Sequence, residues 1–166
     1  MRATILAATL ALAAPAAIAQ NAEALEAQLD KARDAAPMVI KPFLAVERPA
    51  KHFGDYAARA SREYRRGEKI HLYAEPKNLV QTKNATGVYE PALEIDIEVR
   101  PEKGEVMKQP NFMSMRIPSR SRIHDLFVNM SVSLGQAPPG KYTLKFTFRD
   151  LNSKKAATVD QELLLK

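Results

Sequence analysis

The chain has 166 residues, of which 46% are apolar and 27% are charged, and it contains 11 Pro, 6 Gly, no Cys and no Trp. This composition suits one globular domain and excludes collagen-like, low-complexity and disulfide-stabilised proteins. The 25 Lys and Arg residues against 19 Asp and Glu give a formal net charge of +6, which predicts some attraction to anionic surfaces.

The N-terminus has the pattern of a targeting segment. Arg2 precedes an apolar run over residues 5–14, and Pro15 and the small-x-small tripeptide Ala17-Ile18-Ala19 follow. We predict a signal peptide over residues 1–19 with cleavage after Ala19, and therefore a periplasmic or secreted protein. The run is short and Ala-rich for a bilayer of ~30 Å, so we expect no membrane span after cleavage. An exported chain is also not expected to bind nucleic acid.

A short helix is predicted next. Residues 21–36 are rich in Ala and lack Gly and Pro, and Leu25 and Leu29 lie on one narrow apolar stripe. Pro37 should end this helix. We therefore expect residues 20–37 to form an N-terminal helix or tether that buries little surface.

From Met38 onward, polarity alternates with a period of two, which is typical of strands. The pattern predicts seven strands, over residues 38–46, 69–75, 93–99, 112–117, 123–134, 141–149 and 157–165. Seven such strands without intervening helices indicate an all-β domain of two packed antiparallel sheets over residues 38–166. We expect one core between the sheets, formed by Leu93, Ile95, Ile97, Leu126, Val128, Val132, Leu144, Phe146 and Phe148.

Two segments of the sequence resemble parts of a known class of secreted domains. Residues 134–166 read LGQAPPGKYTLKFTFRDLNSKKAATVDQELLLK, which resembles the last hairpin of bacterial secreted immunoglobulin-like or fibronectin-III-like sandwiches. Residues 65–76 read RRGEKIHLYAEP, which resembles the entry into the second strand of such modules, with Tyr64 as the preceding aromatic residue. The resemblance implies an immunoglobulin-like antiparallel β-sandwich in which Tyr142 bonds back to upstream backbone. It implies no function.

Acidic residues alternate with apolar ones in the third predicted strand. Glu94, Asp96 and Glu98 are spaced ~6.6 Å apart along one face, too far for adjacent carboxylates to share an ion unaided. We expect this face to be solvated. In the implied topology it would lie beside the basic face of the penultimate strand, which carries Lys141, Lys145 and Arg149.

Motifs of catalysis are missing from the sequence. There is no Cys, no Gly-x-Ser-x-Gly elbow and no glycine-rich phosphate loop. His52, His71 and His124 have no recognisable Ser and Asp neighbours. We therefore predict a protein that is not an enzyme and uses no cofactor, with an enzyme whose site the sequence does not reveal as an alternative.

A copper-handling periplasmic protein is the other alternative. Cu(I) prefers thioether and imidazole ligands, and two successive predicted strands carry Met113, Met115, His124 and Met130. A Met on an apolar strand face more often fills a gap in the core. Core packing is therefore the preferred interpretation of these residues.

Two basic segments, residues 59–69 and 116–122, are candidates for a binding surface. Their arginines and one tyrosine have the composition of a contact surface: Arg59, Arg62, Tyr64, Arg65, Arg66, Arg120 and Arg122. We expect them to be exposed, largely unpaired and gathered on one side. The predicted function is an exported, non-enzymatic binding or interaction module for an envelope protein or an anionic glycan.

Overall fold

The computed structural model describes the backbone of residues 14–166 and the side chains of residues 21–166. Most of the predicted signal peptide lies outside this range, so its cleavage stays a prediction. The described elements are α1 (Ala14–Ala35), β1 (Val39–Val46), β2 (Glu63–Tyr64), β3 (Ile70–Lys77), β4 (Ala92–Pro101), β5 (Met107–Arg116), β6 (Val128–Val132), β7 (Gly140–Asp150) and β8 (Ala156–Leu165).

The strands form two sheets that pack against each other. One sheet has three strands in the order β1-β3-β6, and the other has five in the order β2-β8-β7-β4-β5. Neighbouring strands are antiparallel except β2 and β8, which are parallel. The predicted mostly β architecture is therefore confirmed.

The core lies between the inward faces of the two sheets. Successive side chains of a strand point to opposite faces, so alternation directs Leu144, Phe146 and Phe148 of β7 inward, where each is fully buried. All nine residues predicted for the core belong to one buried cluster, and that prediction is confirmed.

Two predicted strands have different bounds in the structure. The strand predicted over residues 123–134 is reduced to β6, and His124 lies outside it on an exposed segment. Ile123 is bonded instead to Gln81, whose side-chain amide donates to the Ile123 carbonyl at 2.7 Å and whose Oε1 accepts from the Ile123 N–H at 2.8 Å. These contacts satisfy the backbone of Ile123 without a neighbouring strand.

Strand β5 begins earlier than predicted because a bulge interrupts its alternation. Ile95 pairs with Met113 and Ile97 with Gln109, so β5 carries two more residues than β4 over this interval. Asn111 has a positive φ of 55° in the bulge, and its N–H donates to Asp96 at 2.7 Å. The bulge breaks the period-two alternation, so the pattern did not predict the first half of the strand.

Residues 47–58, which we name the cover loop, fold back over the outer face of the three-stranded sheet. Asn129 on β6 holds the loop, because its side-chain amide donates to the carbonyl of Ala50 at 2.8 Å and its Oδ1 accepts from the N–H of Ala50 at 2.9 Å. A bridge between Val46 and Ala58 closes the loop. The side chain of Asn129 and this bridge therefore both anchor the loop.

Aromatic rings fill the space under the cover loop. Tyr73 of β3 lies between Tyr56, at 4.6 Å between ring centroids, and Phe127, at 5.6 Å. Its hydroxyl accepts from the N–H of Gly54 at 2.8 Å and donates to the buried carboxylate of Glu75 at 2.9 Å. This second cluster is separate from the main core.

The helix α1 begins earlier than the predicted start at residue 21, with Pro15 in its first turn, where Pro is well tolerated. It ends at Ala35, just before the predicted stop at Pro37. Leu25 and Leu29 are 56% and 50% exposed. The helix up to Ala32 is a compact unit separate from residues 33–166. Over the described residues, no helix combines the length and apolarity required to cross a membrane.

Candidate interaction groove

Strand register places the two basic segments at opposite ends of the sheets. In the pairing of β4 with β7, Leu93 lies opposite Asp150 at one end and Pro101 lies opposite Tyr142 at the other. We name these the Leu93 end and the Pro101 end. They are separated by β4, whose ten residues span on the order of 30 Å.

Arg116 pairs with Ala92 at the Leu93 end, which places Arg120 and Arg122 there. Tyr64 pairs with Leu165, and Leu165 pairs with Gly140 at the Pro101 end. The expectation that both segments gather on one side is therefore wrong.

Carboxylates neutralise two of the predicted surface arginines at the Pro101 end. The guanidinium of Arg59 lies 2.9 Å from Glu68 and 3.6 Å from Glu47. Arg62 forms an exposed ion pair with Glu162 at 3.0 Å. The expectation that these arginines are unpaired is wrong for both residues.

Tyr64 belongs to the core and not to the surface. It is 2% exposed, its ring lies under the guanidinium of Arg59 at 4.3 Å, and burial raises the pKa of its hydroxyl. No hydrogen-bond partner for that hydroxyl occurs among the described residues. The predicted role of Tyr64 in a binding surface is therefore wrong, because β2 turns its ring inward beside β8.

The remaining arginines differ from one another. Arg122 binds the carboxylate of Asp34 through two contacts of 3.0 and 2.6 Å, whereas Arg120 is exposed. Arg66 donates to the carbonyl of Gln136 at 3.1 Å, and Arg65 is exposed. In the described part of the chain, neither Arg65 nor Arg66 has a carboxylate within ion-pair distance, so both keep their charge available.

The acidic face of β4 lies beside the basic face of β7, as predicted from the sequence. The guanidinium of Arg149 binds Glu94 at 2.6 Å and also binds Asp96. Arg100 binds Glu98 at 2.6 Å. The hydrogen bond from Arg149, opposed by partial burial, holds the pKa of Asp96 below its usual value. These pairs neutralise the face and leave its carboxylates engaged.

The four residues of the copper hypothesis occupy different environments. Met130 is buried in the core, and Met113 and Met115 pack against that core from β5 of the opposite sheet. His124 is exposed, and its Nδ1 lies 2.9 Å from the guanidinium of Arg33. Core packing accounts for the methionines, and copper binding stays a hypothesis.

A Ser–His pair was missed in the sequence. His71 of β3 and Ser131 of β6 are register partners, and Nδ1 of His71 lies 2.8 Å from Oγ of Ser131. Among the described residues, no carboxylate lies within ion-pair distance of the His71 ring. The pair therefore lacks the third group that orients the imidazole in a catalytic triad.

The strongest candidate site is a groove along the open edge between β5 and β6. It has a volume of about 370 Å³ and an apolar lining with a polar rim: Ile97, Val99, Met107, Lys108, Gln109, Phe112, Ser131, Val132, Ser133 and Leu134. A second cavity of about 630 Å³ at the Pro101 end shares Met107 and Leu134 with it. We name the first of these, between β5 and β6, the edge groove.

Apolar side chains are exposed at the mouth of the edge groove. Met107, which lines the groove, is 53% exposed, while Phe112 and Leu134 are half-buried in its wall. Contiguous exposed apolar surface with a polar rim is typical of a contact site. The apolar Met107, shortly after the turn at Gly104, was the available signal for it in the sequence.

A third cavity, of about 510 Å³, lies at the Pro101 end of the five-stranded sheet. Its charged lining includes Arg62, Lys141, Glu102 and Glu162. Arg62 is paired with Glu162, and Lys141 lies 3.8 Å from Glu102. These mutual contacts make it a weaker candidate than the edge groove.

Comparison with known proteins adds no relative to this geometry. No protein-family model matches the sequence, and no curated protein is significantly similar to it.

Proposed function

We propose that the chain is an exported, non-enzymatic interaction module with an immunoglobulin-like sandwich. The strand orders support this class, because β1-β3-β6 and β8-β7-β4-β5 correspond to the A-B-E and G-F-C-C′ orders of such domains. The hydroxyl of Tyr142 donates to the carbonyl of Pro138 at 2.7 Å, which matches the tyrosine corner of that fold. The signal-like N-terminus supports export to the periplasm or beyond.

The edge groove is the observation that carries the interaction function. Leaving Met107 exposed to water is less favourable than covering it with another apolar surface. Its neighbours in the groove, Phe112 and Leu134, extend the apolar floor into the sandwich. A protein surface with apolar side chains is the partner that this lining fits best.

Charged residues at the Pro101 end make a second, smaller contribution to the proposed binding of a partner. Arg65 and Arg66 lie at this end, and Lys103 and Lys141 line the cavity beside the groove. Glu102 and Glu105 line the same cavity, so the attraction favours acidic partners only weakly. An envelope protein fits both features, whereas an anionic glycan fits only the charge.

The test is quantitative capture from an envelope extract of the source organism. We expect the wild-type chain to retain specific proteins and Met107→Glu to lose them, because a carboxylate in the groove mouth opposes apolar contact. Leu151→Glu is the matched control, since Leu151 is also an exposed apolar residue but lies at the Leu93 end. Equal capture by both variants would remove the groove from the proposed function.

A further inference from the structure

Three of the four sheet edges carry features that discourage pairing with another chain. β1 contains Pro42 and a bulge between Ile40 and Phe43, and β2 is only two residues long. β5 contains Lys108, Pro110 and its own bulge. Prolines, lysines, bulges and short edge strands are the usual means of preventing edge-to-edge association.

The fourth edge, β6, lacks the prolines, lysines and bulges of the other edges. It reads VNMSV, without charge or proline, and it pairs with β3 in unbroken register. Over the described residues, no strand or bridge pairs with its other side. Backbone N–H and C=O groups of β6 therefore face the mouth of the edge groove without a strand partner.

We propose that β6 accepts an extended segment of a partner polypeptide as an added strand. The segment's inward side chains fill the edge groove, while its backbone pairs with β6. This inference rests on the proposed interaction function and specifies how the partner binds. Five residues of β6 offer a pairing length of ~17 Å.

The groove argues for a foreign segment and against a second copy of this chain. In a pair of β6 strands from two copies, the inward side chains Val128, Met130 and Val132 of each copy would remain in their own core. Neither groove would then gain a side chain. An inserted segment has alternate side chains free to enter, so it covers the apolar lining that a second copy leaves exposed.

Side-chain chemistry defines the partner segment further. Residues facing Phe112, Val132 and Leu134 should be apolar, and those between them should be polar, as in any half-buried strand. An acidic residue is expected near Lys108. Glu98, the cross-strand neighbour of Lys108, is already held by Arg100 at 2.6 Å. No carboxylate lies within ion-pair distance of Lys108 in the described region.

The first experiment uses a synthetic peptide and the protein expressed from the full sequence. The probe is about nine residues long, alternates valine with threonine and carries a terminal aspartate. We expect its binding to slow amide hydrogen exchange at alternate residues of β6 and to leave the edge of β5 unchanged. A peptide of the same composition with its valines grouped at one end should give no protection.

The second experiment adds a charge to each of two edge strands. Ser131→Lys introduces on β6 the kind of residue that protects natural edges. Ser114→Lys is the matched control on β5, and both serines are exposed. We expect Ser131→Lys to weaken peptide binding and extract capture about tenfold and Ser114→Lys to change them less than about twofold. Ser133→Lys, beside β6, replaces Ser131→Lys if that variant does not fold.

The outcomes separate this inference from the proposed function. Capture that depends on Met107 but is unaffected by lysine at Ser131 or Ser133 would overturn strand addition and leave the interaction function intact. Protection of β6 that increases with protein concentration in the absence of peptide would assign the edge to a second copy. Loss of capture in the β6 variant alone supports strand addition, and lack of any Met107-dependent capture contradicts both.

Discussion

Tyr142 joins the start of β7 to the loop before it through a single hydroxyl. The ring is buried in the core, and the hydroxyl reaches the carbonyl of Pro138 at 2.7 Å. The hydroxyl therefore satisfies a carbonyl in the turn that begins the strand. The sequence predicted this contact from the resemblance of residues 134–166, and the structure confirms it.

Tyr142→Phe should lower the free energy of unfolding by ~1 kcal/mol, because the hydrogen bond to the carbonyl of Pro138 is lost. Urea denaturation measures the change. Tyr89→Phe serves as control, since the hydroxyl of Tyr89 makes no hydrogen bond among the described residues. Equal losses in the two variants would show that the Tyr142 contact contributes no specific stability.

Asp96 should make the free energy of unfolding depend on pH in the acidic range. The hydrogen bond from Arg149 is the largest cause of its lowered pKa, and the N–H of Asn111 lowers that pKa further. The pKa of Asp96 in the folded state lies below its unfolded value of ~3.9. Ionised Asp96 therefore gives its full stabilisation of the fold at pH values above the unfolded pKa. This stabilisation is lost as pH falls through the folded pKa.

Urea midpoints measured from neutral to strongly acidic pH test this dependence. Asp96→Asn should lose less stability on acidification than the wild type, because it lacks the titrating carboxylate. Asp125→Asn, on an exposed segment, should follow the wild-type curve. Identical slopes for the wild type and Asp96→Asn would exclude a role of the Arg149 contact in acid sensitivity.

At the scale of elements, every second residue of β7 from Tyr142 to Asp150 is buried, and Phe146 lies in the middle of this row. The ring is fully buried and contacts Phe43 and Phe112 at centroid distances of 5.6 and 6.3 Å. Phe146→Ala should therefore cost ~3–5 kcal/mol of unfolding free energy in chemical denaturation. Phe53→Ala, at a residue 39% exposed, should cost far less, and a loss below ~1 kcal/mol for Phe146→Ala would contradict the assigned core.

Strands with one buried face were predictable because burial leaves a period of two in the sequence. β4 and β7 follow this rule along most of their length. β2 is too short to carry a pattern, and its pairing with β8 depends on a long-range contact. Ile123, which was predicted to lie in a strand, is bonded instead to the side chain of Gln81, which is distant in sequence.

The candidate site was less predictable than the fold. The arginines were visible in the sequence, but the carboxylates that pair with them lie far away in the chain. Glu162 pairs with Arg62, and Asp34 pairs with Arg122. The edge groove depends on where two sheets end and which strands lie at their edges. Neither property is encoded in the local pattern of β5 or β6.

At the scale of the whole molecule, the exposed arginines of the two basic segments lie at opposite ends of the sheets. Arg65→Glu combined with Arg66→Glu should lower the salt concentration that elutes the protein from heparin resin, because screening acts over ~8 Å at physiological salt. Arg120→Glu with Lys154→Glu is the control, as it changes the charge equally at the Leu93 end. Equal shifts would mean that only net charge matters and that the Pro101 end has no preference for an anionic partner.

The aromatic stack under the cover loop gives the protein a built-in optical signal. The chain has no Trp and five Tyr, so tyrosine dominates its near-ultraviolet spectrum. Tyr73, fixed between Tyr56 and Phe127 and bonded to Glu75, is in the asymmetric environment that produces near-ultraviolet circular dichroism, a signal that is lost when fixed packing loosens. Detachment of the loop would therefore change the near-ultraviolet spectrum while the far-ultraviolet spectrum of the sheets persists, which makes loop movement measurable without any label.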